Sequence, residues 1–153
     1  MYSKEEEKAI KGAFWGTLTT RIQKHRSANG RRINWFKYRT GLKEIFIRTE
    51  VDQKGCKICI DLQFKNPGIR ELFYEQFLET KTVFENTMVS PVKWQLNYEH
   101  EYGTEISRIS VENNTTNIYR QEDWPEMHDF IVTHLRRVDE YWNDFGELFK
   151  TLK

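Results

Sequence analysis

These 153 residues hold few of the features by which a function is usually read. No run of about 18 apolar residues occurs, so no transmembrane helix is expected. The opening Met-Tyr-Ser-Lys-Glu-Glu-Glu-Lys has neither a basic nor an apolar leader region, so export is not expected and a cytoplasmic protein is. A Gly-rich phosphate loop, a serine-nucleophile motif and H-E-x-x-H are all missing. No catalytic residue and no cofactor is therefore assigned. His25, His100, His128 and His134 have no metal-ligand spacing, and no metal site is assigned either. The two cysteines form Cys56-x-x-Cys59, a spacing that invites a redox or metal reading. They fall in an alternating stretch, where residues three apart face opposite ways and lie roughly 10 Å apart. A disulfide needs Cα atoms within about 7 Å, so one thiol is expected in the core and the other at the surface, both reduced.

Negative charge is also missing from one long segment. Residues 21–43 contain eight basic side chains (Arg21, Lys24, Arg26, Arg31, Arg32, Lys37, Arg39, Lys43) and no acidic one. The chain as a whole carries only +1, which leaves 16 basic against 23 acidic residues elsewhere. A positive region on an acidic body follows. With 14% aromatic residues the chain is far from a disordered polyelectrolyte, and its length suits one domain, residues 1–153.

Residues 42–64 are the most patterned stretch. Ile45, Ile47, Thr49 and Val51 alternate with Glu44, Phe46, Arg48 and Glu50. Cys56, Ile58, Ile60, Leu62 and Phe64 alternate with Lys57, Cys59, Asp61 and Gln63. A period of two predicts two strands, and the short Asp52-Gln53-Lys54-Gly55 between them predicts a hairpin turn in which glycine takes the positive φ. Pairing Val51 with Cys56 sets Glu50 opposite Lys57 and Arg48 diagonal to Asp61. A second hairpin is expected from Val92, Trp94, Leu96 and Tyr98, alternating with polar residues, through a turn at residues 100–103 into residues 105–112. Gln95 then faces Arg108. Residues 117–120 are expected to add a short fifth strand.

Three helices are predicted. The first starts at the capping box Ser3/Glu6 and carries Ile10, Phe14, Leu18 and Ile22 to about residue 24. The second starts at Asn66-Pro67 and runs to about residue 85, burying Ile69, Leu72, Phe73, Phe77, Val83 and Phe84, with Glu71, Glu75 and Glu79 as a solvated ridge. The third is capped by Asp123, has Pro125 in its first turn and Glu126 reaching back, and buries a broad stripe from Met127 to Leu152. The order α-β-β-α-β-β-(β)-α predicts an α+β fold: an antiparallel sheet of four to five strands with three helices on its oily face.

Phe14-Trp15, Asn34-Trp35-Phe36-Lys37-Tyr38-Arg39-Thr40-Gly41, Arg48, Ile106-Ser107-Arg108-Ile109, Asp123-Trp124-Pro125 and Asp139-Glu140-Tyr141-Trp142 together resemble the bacterial domain-of-unknown-function family 4268. The likeness covers nearly the whole chain in the same order. It implies DNA-associated or restriction contexts, because in longer members a similar domain follows a segment resembling PD-(D/E)xK nucleases. It brings no catalytic residue with it.

The residues therefore point to a non-enzymatic binding domain. The basic segment supplies Arg26, Arg31, Arg32, Lys37 and Arg39 for phosphates, with Trp35, Phe36 and Tyr38 to stack on bases, and DNA or RNA is the first partner. A polar sheet face with Arg48 and Arg108, beside Asp61, Gln63, Lys93 and Gln95, is the second lead, and cross-strand ion pairing is its ordinary explanation. The rival partner is a protein or a second copy, joined at a hairpin edge or through aromatics near Trp35. A degenerate metal-dependent nuclease, using Asp61-x-Gln63-x-Lys65 with Glu50 or Asp52, ranks last because Gln63 stands where an acidic ligand is needed.

Overall fold

The alternation in residues 42–64 builds the hairpin it predicts. The computed structural model describes residues 2–101 and 103–152. Strands β1 (Ile45–Asp52) and β2 (Gly55–Leu62) pair antiparallel with Val51 opposite Cys56 and Glu50 opposite Lys57. Gly55 has φ +142°, and a Cβ there would sit 1.8 Å from the Asn113 carbonyl oxygen, so the turn and the close approach of the next strand both require glycine. After β2 come α2 (Pro67–Glu79), α3 (Lys81–Met88), β3 (Lys93–Glu99) and β4 (Glu105–Asn113). The sheet order is β1-β2-β4-β3, antiparallel throughout. Helices α1 (Lys4–Ile22) and α4 (Trp124–Lys150) come from the two ends of the chain. The expected turn at residues 100–103 includes Tyr102, which lies outside the described residues.

One face of the sheet is apolar. Ile45, Ile47, Ile58, Ile60, Leu62, Ile109 and Val111 form a single core with Phe73, Phe77, Ile131, Leu135, Val138 and Tyr141. Helices α2 and α4 lie against the sheet, while α1 and α3 pack on α4. The α+β class with an antiparallel sheet holds. Its details depart from expectation in four places, each for a packing reason.

The second predicted helix is two. At Thr80 the backbone leaves helical geometry (φ −109°, ψ 25°) and the Thr80 hydroxyl meets the Tyr141 hydroxyl at 2.7 Å. The break sets Phe77 and Phe84 both against Tyr141, with ring centroids 5.9 and 4.9 Å away, and against each other at 6.3 Å. Ile69, Leu72 and Val83 are exposed instead of buried.

The fifth strand is replaced by a turn: the sheet has four strands among the described residues, and Ile118 enters the core with its amide donating to the Asp52 carbonyl at 3.3 Å. At the start of α4, Asp123 makes no capping hydrogen bond and instead accepts from the Asn117 amide at 3.0 Å. Glu126 accepts from Asn113 at 2.9 Å.

In β3 the alternation breaks between Gln95 and Tyr98. One extra residue there turns Tyr98 to the face opposite Trp94, because side chains on a strand change face with every residue. Tyr98 thereby lies under Arg108, whose guanidinium carbon is 4.3 Å from the ring centroid.

Candidate cationic site

Beyond the end of α1 the basic segment is a loop with one short 3-10 turn at Trp35–Lys37, which the Asn34 side chain caps by accepting from the Phe36 amide at 3.2 Å. Chain entropy would leave such a loop mobile unless something ties it down, and here a buried carboxylate does. Asp139, on α4 and 1% exposed, accepts four hydrogen bonds: Ser27 hydroxyl at 2.8 Å, Ala28 amide at 2.7 Å, Tyr38 hydroxyl at 2.5 Å and Asn143 side-chain amide at 2.9 Å. No cation pairs with it among the described residues. A buried charge must be compensated, and here neutral donors from two parts of the loop do it. Burial and the Asp139 carboxylate raise the Tyr38 hydroxyl far above its ordinary pKa of 10.0, so it stays a donor. Trp142, three residues on, donates its indole N–H to the Thr40 carbonyl at 2.9 Å. The loop is thus fixed at both ends to one helix.

What remains between loop and helix is a cavity of about 670 Å³. Arg31, Arg32, Lys37, Arg39 and, from α4, Lys150 line it, against one carboxylate, Glu147. Lys150 pairs with Glu147 at 3.3 Å. Arg31, Arg32, Lys37 and Arg39 are exposed and have no carboxylate within ion-pairing distance among the described residues. The C-terminal end of α4 contributes a partial negative charge of roughly half a unit, and the cations outweigh it. Gly41, with φ +85°, lets Lys150 lie directly over the loop, since a Cβ there would be 2.9 Å from the lysine Cε.

The other sequence candidates divide. Arg26 is exposed and turns back to the Gly30 carbonyl at 3.2 Å, outside the cavity lining. Arg21 pairs with Asp129. Trp35 is a correction: at 2% exposure, with its indole N–H on the His25 carbonyl at 3.1 Å, it has no free face for a base. Phe36 meets Trp15 edge-on at 5.2 Å and serves the core in the same way. Tyr38 lines the cavity, but its hydroxyl is committed to Asp139. Burial first, and then the charges of Arg136, Arg21 and Lys24, hold His25 below its ordinary pKa of 6.5, a sign of positive surroundings.

The polar sheet face is a closed ion network. Arg108, 2% exposed, donates Nε and Nη2 to the two oxygens of Asp61 at 2.8 and 2.9 Å, and Nη1 and Nη2 to Glu50 at 3.2 and 3.1 Å. Arg48 stands 3.2 Å from Asp61 and over the Phe46 ring at 4.6 Å. Arg108 is therefore a structural cation with its valence filled, and Arg48 is shared between a carboxylate and a ring. Asp61 is fully buried under two guanidinium groups, which removes it from the nuclease reading. No three His, Cys, Asp or Glu side chains gather as a metal would require among the described residues.

Sequence reasoning missed Asp139 and Lys150. Asp139 sits in one of the stretches that carry the family resemblance, and Tyr38 and Thr40 sit in another. The two stretches meet at this cavity wall. A model of the family described as Domain of unknown function (DUF4268) matches residues 10–150. No curated protein and no solved structure matches the chain. No helix among the described residues is long and apolar enough to cross a membrane.

Proposed function

The chain belongs to the DUF4268 family, whose description assigns no function, and we propose that this member binds nucleic acid by its phosphates at the cationic cavity. The observation that carries this is the gathering of Arg31, Arg32, Lys37 and Arg39, none paired with a carboxylate, around one recess held open by Asp139. Unpaired guanidinium groups attract phosphate both by charge and by their two-pronged donor geometry. With Trp35 buried and Phe36 packed on Trp15, recognition runs mainly through the backbone and depends little on base sequence.

Labelled single-stranded DNA and RNA, titrated at rising salt, test this. Four phosphate contacts predict a slope of log K against log salt of roughly −3. Arg32→Glu and Lys37→Glu should each weaken binding at unchanged melting temperature, while Lys11→Glu, exposed on α1, should not. An unchanged anisotropy with every strand at low salt would sink the proposal.

Self-association has separate support. Ile69, Leu72, Leu78 and Val83 are exposed on α2 and α3, whereas Trp35 and Phe36 of the basic segment are taken up in packing. Light scattering across a concentration series tests it, and a constant monomer mass removes it.

A further inference from the structure

Resting on the phosphate reading above, we propose that the cavity selects a terminal phosphate monoester, the phosphorylated end of a strand, over the unbroken backbone of a duplex. Shape is the first support. A volume of about 670 Å³ is a recess roughly 9 Å across, in the range of small-ligand pockets. A duplex, whose major groove alone is about 12 Å wide, is too broad to enter. Arg31, Arg32 and Arg39 line this recess from irregular loop and Lys37 from a single 3-10 turn, so they are not arrayed along a long helix or β-ribbon that a groove would receive.

Charge is the second. Arg31, Arg32, Lys37 and Arg39 need more negative charge than a single diester supplies. A diester phosphate carries one negative charge, whereas a monoester carries about −1.5 to −2 at pH 7 and offers three acceptor oxygens. The third support is the small stacking surface. Trp35 is buried and Phe36 is packed on Trp15, which leaves the half-buried Tyr38, its hydroxyl held by Asp139, and the buried Trp142 as the aromatic side chains on the cavity lining. Strand binding that relies on stacking gains about 1 to 3 kcal/mol per base. With little of it, affinity concentrates where phosphate charge does, and that is at an end.

The test uses the full chain at about 50 mM salt and short single strands of one sequence carrying a 5′-phosphate, a 3′-phosphate or hydroxyl ends only, with adenosine monophosphate as competitor. A phosphorylated end is expected to bind at least about tenfold tighter than the hydroxyl strand, and Arg31→Gln with Lys37→Gln is expected to abolish the difference without lowering the melting temperature. Competition by adenosine monophosphate at the affinity of the phosphorylated strand supports monoester selection and names a free nucleotide as the source. Weak competition names a strand end. Equal binding of phosphorylated and hydroxyl strands overturns end selection and leaves the phosphate reading standing. If no strand binds at all, both fall.

Discussion

The hydroxyl of Tyr38 donates to Oδ1 of Asp139 across 2.5 Å, joining residues 101 positions apart in the chain. This contact, with those from Ser27 and Ala28, is what makes a loop rich in like charge hold one shape. Mutual repulsion among its cations would otherwise spread it.

Asp139→Ala should therefore destabilise the domain by about 3 kcal/mol, since it strands several buried donors at once, each at about 1 to 3 kcal/mol less what water recovers. Tyr38→Phe removes one hydrogen bond to a charged acceptor and should cost about 1.5 to 3 kcal/mol. Urea unfolding midpoints measure both. Equal stability of Asp139→Ala and the parent chain would mean that the loop is held by something else.

Asp61 and Arg108 are buried and paired, and each is costly without the other. Asp61→Ala is expected to lose about 3 to 5 kcal/mol, because a fully buried guanidinium is left with the half-exposed Glu50 as its counter-charge. Arg48→Ala, at a side chain 37% exposed, should lose less than 1 kcal/mol. Paired denaturation curves separate the two, and a similar loss for both would contradict the burial argument.

Acid should weaken the fold through its buried histidines. His134 donates Nδ1–H to the Phe130 carbonyl at 2.7 Å and takes the Ser90 hydroxyl on Nε2 at 2.8 Å, an arrangement that fits the neutral ring. Burial lowers its pKa, and that of His128, below the ordinary 6.5. The unfolded chain then takes up protons below about 6.5 that the folded chain refuses, so stability is constant above that value and falls as pH drops through it. Urea midpoints at about pH 7.5 and 5.5 should show the loss. His128→Leu, which replaces a buried ring whose Nε2 has no hydrogen-bond partner, should reduce it.

Both thiols should be inert. Burial pushes Cys56 and Cys59 up to about 12, so the reactive thiolate is scarce at neutral pH. The chain should react with a thiol reagent slowly when folded and at two equivalents when denatured. Rapid labelling of the native protein would contradict the burial of these thiols. The finding also corrects an expectation: Cys59 faces away from the helices, yet it is fully buried, because Arg108 and its partners roof that face.

The strand pattern was legible because a period of two is local. Val51 opposite Cys56, Glu50 opposite Lys57 and Arg48 beside Asp61 follow from alternation and one turn, whereas Gln95 stands opposite Arg108 through a bulge between it and the second turn. The break at Thr80 was not, since no proline or glycine marks it and its cause is Tyr141, 61 positions away. The bulge that moves Tyr98 across the sheet left no mark either, because its neighbours keep alternating in type after the backbone has slipped.

Sequence alone determined that eight cations would fall within one stretch free of acid, and that an antiparallel sheet would carry an apolar and a charged face. These are matters of composition and of repeat along a backbone. Tertiary structure decided that Arg31, Arg32, Lys37 and Arg39 share a recess with Lys150, that Trp35 turns inward, and that Asp139 holds the arrangement in place. Spacing along a chain says which side chains share a face of their own element. Which distant element docks there depends on how buried surfaces fit and on which buried polar groups find partners, and only the folded molecule brings those together.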